Sequence, residues 1–66
     1  MTIAQIKAAL TAAGVPAWAQ AETEGPNGEK EIAVAYEDLE AFAEPRKIKA
    51  LASIATDKGL VFTPAA

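Results

Sequence analysis

The sequence predicts an α+β domain in the order helix, β-hairpin, helix, short strand, and three observations carry that prediction. Ala17 to Glu37 alternates on both sides of Gly25-Pro26-Asn27-Gly28, the pattern of two strands joined by a turn. Thr2 to Ala13 places apolar residues at Ile3, Ile6, Leu10 and Ala13, the three-and-four spacing of a helix with one buried stripe. Pro45 to Asp57 places Ile48, Leu51, Ala52, Ile54 and Ala55 at comparable intervals.

Taken in order, Thr2 can cap the first helix, Gly14 offers a left-handed stop, and Val15-Pro16 forces an extended exit into the hairpin. Reading Pro26-Asn27-Gly28 as a three-residue loop with Gly28 in the left-handed region pairs Gly25 with Glu29. That register sets Trp18 opposite Tyr36, Gln20 opposite Val34 and Glu22 opposite Ile32 on one face. Ala19 then faces Ala35 and Ala21 faces Ala33 on the other. Asp38 caps a short turn carrying Leu39 and Phe42, which Glu44-Pro45 interrupts. Proline suits the first position of a new helix, so the second helix is predicted from Pro45 to Asp57. Gly59 closes it, and Leu60 to Thr63 forms a final strand before Pro64.

A right-handed crossover through the second helix places that strand at the free edge of the first hairpin strand. The expected sheet is three-stranded and antiparallel, of order 2-1-3, with two helices on one face. Burial of large side chains gains more per residue, so the helices are expected over Trp18, Ile32, Val34 and Tyr36, packed with Ile6, Leu10, Leu51 and Ile54. Helices on the alanine face would instead leave those large side chains exposed. The alanine face is expected to point toward solvent or a partner.

Composition narrows the function classes. Residues 1–66 read as one small domain, and alanine supplies 17 of the 34 apolar residues, so the core should net only roughly 3 to 5 kcal/mol. Cysteine and histidine are absent, which removes disulfides, thiolate and imidazole metal sites and Cys or His nucleophiles. No cofactor and no metal are expected. The net charge of −3 argues against binding along a phosphate backbone. Ala19-Gln20-Ala21 has the A-x-A form of a cleavage site, but the stretch before it is mostly alanine, broken by Thr11, Gly14 and Pro16, and Lys7 lies too deep for a basic start. No processing is expected there. The uncharged run from Ala8 to Ala21 is too short and too broken to span a membrane.

Four groups of side chains are candidates for contact with a partner. Glu22, Glu24, Glu29 and Glu31 crowd the hairpin tip with Lys30, and could enter a basic groove or simply solvate the hairpin end and block edge pairing. Arg46, Lys47 and Lys49 oppose the dipole at the start of the second helix and call for compensation, by Glu40 and Glu44 or by an acidic partner. Gln5, Ala8 and Ala12 lie on a charge-poor outer face of the first helix, on which a second protein could pack. Trp18 and Tyr36 are read as core, although both residue types also serve as binding anchors. Glu37, Asp38, Glu40 and Glu44 are explained by capping and salt pairing. They lack both a cleft and the D-x-D-x-D-G pattern of a calcium loop. Nucleotide-binding and serine-hydrolase motifs are absent, and Ser53 is the sole serine, so no enzyme and no small-molecule substrate are expected.

Two local resemblances accompany this reading. Ile3 to Leu10 followed by Ala13-Gly14-Val15-Pro16 resembles the opening helix of SAP-type or helix-extended-helix nucleic-acid modules, over about a quarter of the chain. The order helix, hairpin, helix, with Ile32-x-Val34 and Asp38-Leu39 after the turn, is similar to the small head-to-tail joining proteins of tailed phages. Neither carries a functional residue onto this chain. The expected function is therefore a non-enzymatic protein-protein interaction module, cytoplasmic, of the kind that phages encode as accessory proteins to modulate a larger protein. The first alternative is a structural, virion-associated role of the head-to-tail joining type, including homo-oligomer formation. The second is nucleic-acid binding through Arg46, Lys47 and Lys49.

Overall fold

The first helix starts where its cap predicts. In the computed structural model, which describes residues 1–64, α1 spans Ile3–Ala12. The Thr2 hydroxyl accepts the Gln5 N–H at 3.2 Å, and the Gln5 side-chain oxygen accepts the Thr2 N–H at 2.8 Å, a reciprocal capping box. Gly14 ends the helix region at φ 99°, and a Cβ there would strike the Phe42 carbonyl oxygen, so any side chain is excluded on two grounds.

β1 (Ala21–Glu24) and β2 (Lys30–Ala35) form the expected hairpin. The Gly25 N–H donates to the Glu29 carbonyl at 2.7 Å, and Gly28 sits at φ 81°. Ala21 pairs with Ala33, Glu22 with Ile32 and Glu24 with Lys30, which is the register the turn predicts. α2 (Tyr36–Phe42), α3 (Pro45–Ile48), β3 (Ser53–Ala55) and β4 (Gly59–Phe62) follow. The four strands form one antiparallel sheet of order β1-β2-β4-β3.

The architecture departs from expectation at four places. Strand structure begins at Ala21, because Ala17–Ala19 is a single 3-10 turn whose Ala19 N–H donates to the Pro16 carbonyl at 3.0 Å. The Gln20 amide ties that turn back, donating to Thr11 Oγ1 and to the Val15 carbonyl. Trp18 is therefore not paired across the sheet with Tyr36, which instead opens α2.

Second, the helix expected from Pro45 to Asp57 stops at Ile48. Pro45 does occupy its first turn, but Ser53–Ala55 is a strand. Ile54 and Thr56 are β-branched and favour a pleated surface. β4 gains its second hydrogen-bonded neighbour only if this segment is extended.

Third, β4 pairs with β2, Ile32 opposite Phe62 and Val34 opposite Leu60, and not with the free edge of β1; the order 2-1-3 is replaced. This register brings Phe62, fully buried, against the one strand whose inward residues are large and apolar. The expected cap at Asp38 is also displaced. Ala35 occupies that position, and the Tyr36 N–H donates to the Lys58 carbonyl at 3.1 Å.

One face of the sheet carries the core. Ile6, Leu10, Ala13, Val15, Ala19, Ile32, Val34, Ile48 and Phe62 are buried, with Ile3, Leu39, Ala43, Leu51 and Leu60 packed against them. The expectation that Ile32 and Val34 meet Ile6 and Leu10 holds. Trp18, Tyr36 and Ile54 do not join them and remain 71%, 42% and 59% exposed. The joint between α2 and α3 closes the end of α1: the Glu44 N–H donates to the Ala13 carbonyl at 2.8 Å and Lys47 Nζ to the Ala12 carbonyl at 3.1 Å. Among the described residues no helix is long and apolar enough to cross a membrane.

Candidate interaction surface

The acidic residues of the first hairpin do not share one surface. Alternation sends Glu22 and Glu24 to the α1 side of the sheet and Glu31 to the opposite side. Glu22 forms an ion pair with Lys7 of α1. The hydrogen bond and charge of Lys7, with the more distant charge of Lys30, hold the Glu22 carboxyl below its ordinary value of 4.5. Glu24 stands opposite Lys30. The carboxylates of Glu29 and Glu31 crowd the open side of Gly25. One of the four acids is thus paired with a lysine within the fold, Glu24 faces Lys30 across the strands without an ion pair, and the other two form a separate small negative patch.

The cations at the start of α3 are likewise divided. Lys47 bridges the Ala12 carbonyl and, at 3.4 Å, the Glu44 carboxylate, so it caps α1 and neutralises a neighbour. Arg46 and Lys49 make no ion pair among the described residues and are exposed. Gln5, Ala8 and Ala12 are exposed on α1 as expected, but the Gln5 side chain is engaged in the capping box.

A fourth surface is larger. By register, Ala21, Ala33, Val61 and Ile54 lie side by side across all four strands on the face away from α1. Ala35 and Gly59 form the next row toward the β3–β4 turn. No buried residue lies in either row except Gly59, whose missing side chain lets β4 approach the Val34 carbonyl. A shallow depression over these rows is bounded by Trp18, Asp38 and Lys58. Trp18 stacks edge-on against Phe42, with ring centroids 5.5 Å apart at 87°, which fixes the indole beside the depression while leaving most of it in solvent. The alanines of the hairpin point to this face in the sequence. Val61 and Ile54 do not, because Ile54 fits a helical stripe with Ile48 and Leu51 and its pairing with Val61 joins segments that no local turn signal links. A second apolar recess, between α2 and α3, is floored by Leu39, Ala43, Ile48 and Leu60 and rimmed by Tyr36, Glu40 and Lys49.

Chemically these surfaces offer apolar contact with a polar rim. Among the described residues no group of three or more acidic side chains is gathered as a metal ion requires. No protein-family model, curated protein or solved structure gives a significant match to this chain.

Proposed function

We propose that the chain is a non-enzymatic protein-protein interaction module that presents the outer face of its sheet. The observation that carries this reading is the row Ala21, Ala33, Val61 and Ile54, apolar across four strands and, among the described residues, covered by no other element. An antiparallel sheet with one solvated face ordinarily alternates apolar and polar residues, and a strand favours threonine over alanine. Here the outward positions of β2 are Glu31, Ala33 and Ala35. Small side chains flanked by a rigid indole and a charged rim match the make-up of interface patches, with a charge-depleted centre and an aromatic anchor. Binding along a phosphate backbone has less support, since Lys47 is already engaged by Ala12 and Glu44.

A photo-crosslinking residue placed at Ala33, compared with one at Ala8 on the outer face of α1, tests this reading in a lysate of the source cells. Discrete covalent adducts from position 33 and none from position 8 are expected. Adducts from position 8 alone would move the interface to the helix, and none from either would remove the module reading.

A further inference from the structure

We infer that the partner is a second copy of this chain, packed sheet face to sheet face about a two-fold axis lying along the Ala21, Ala33, Val61, Ile54 row. The inference rests on the outer sheet face being the interaction surface, and adds its occupant and orientation. A two-fold interface must be complementary to itself, and two properties of this face meet that condition.

The first is shape. An axis along the row exchanges the two ends of each strand, so the end bearing Thr23 and Glu31 in one copy lies over the end bearing Ala35 and Gly59 in the other. The bulkier row meets the smallest one.

The second is charge. Glu29 and Glu31 border the face at the hairpin end, and Lys58 and Asp38 border it at the β3–β4 turn. The axis along the row brings Glu31 of each copy toward Lys58 of the other, whereas an axis parallel to the strands would set the two glutamate pairs against each other. Asp38 has the wrong sign for this arrangement and moderates its strength. Strand spacing and rise give the face a footprint of about 300 Å² per copy. With side-chain relief and Trp18 the total buried area approaches about 1,000 Å², the low end for a specific interface, so the dimer is weak and concentration-dependent.

Sedimentation equilibrium of the purified chain over a range reaching about millimolar, at low salt, tests this directly. The apparent mass should rise from 6.8 kDa toward twice that value. Glu31→Lys and Lys58→Glu should each weaken dimerisation about fivefold, two rim pairs being lost per dimer, and the double variant should restore it. The double variant keeps the wild-type net charge, so restoration reports the specific pairing, and circular dichroism confirms that each variant is folded. Ala33→Glu should abolish the dimer. A wild-type chain that stays monomeric throughout, a dimer indifferent to Ala33→Glu, or a double variant no better than the singles would each overturn the inference. Adducts from position 33 to foreign proteins alongside a monomeric purified chain would leave the interaction module standing and remove only its self-association.

Discussion

The two hairpins reach the same antiparallel geometry from different sources of instruction. β1–β2 is specified by its own turn: Gly28 adopts φ 81° with open space around it, and the register follows from Gly25 and Glu29. β3–β4 has no positive-φ residue in its turn. Thr56 Oγ1 accepts the N–H groups of Lys58 and Gly59, the Tyr36 hydroxyl donates to the Thr56 carbonyl at 2.7 Å, and Gly59 nestles against the Val34 carbonyl. One hairpin is a local object, and the other exists because β2 and α2 hold it.

That contrast can be broken by substitution. Gly59→Ala forces a Cβ into the backbone of Val34 and Ala35, and should cost about 3 kcal/mol or more, a large share of what so small a core supplies. Urea unfolding followed by circular dichroism would show the midpoint collapse, and a loss below about 1 kcal/mol would mean that β4 can shift. Gly28→Ala meets no neighbour and bears only the left-handed backbone cost, about 1 to 2 kcal/mol by the same assay, with the fold intact. Tyr36→Phe removes the hydroxyl that reaches Thr56 and should cost about 1 kcal/mol, with amide-exchange protection falling in β3 and β4 before β1. Uniform loss of protection would contradict the dependence of the second hairpin on α2.

The smallest effect sharpens the contrast at the first hairpin. Glu22 is held below its ordinary 4.5 by Lys7, so the pair's contribution is present above that value and fades as pH falls through the lowered folded pKa. A carboxyl NMR titration should show the Glu22 midpoint moving up toward 4.5 in Lys7→Met, and an unmoved midpoint would show that the pair does not form in solution.

What could be read in the sequence follows the same division. Thr2, Gly14, Pro26-Asn27-Gly28 and the inward pair Ile32 and Val34 act through neighbours within a few residues, and each is where the sequence places it. Pro45 to Asp57 misleads because alanine fits a helical stripe as well as a strand. Leu51, Ala52, Ile54 and Ala55 therefore match the helical period while Ile54 in fact pairs with Val61. Ala17 to Ala19 misleads in the opposite sense: its alternation suits a strand, but Pro16 and the Gln20 amide wind it into a turn. The candidate surface was half legible for that reason. Its β1 and β2 alanines follow from a local turn, and its other half from a pairing between segments that nothing local announces.

The tie between Lys47 and the Ala12 carbonyl, spanning 35 positions, has a consequence for the order in which the protein is made. As the chain leaves the ribosome, the carbonyls of Ala9, Leu10 and Thr11 are closed locally by the N–H groups of Ala13, Val15 and Gly14, whereas those of Ala12 and Ala13 stay open to water until Lys47 and Glu44 are translated, after the whole first hairpin. A nascent fragment holding α1, β1 and β2 therefore contains the segments most able to fold by themselves and still has two open carbonyls at the end of its helix. Completion of α1 is a post-hairpin event, and division of the gene between β2 and α3 should yield a first half that forms its hairpin alone but closes the end of α1 only in the presence of the second.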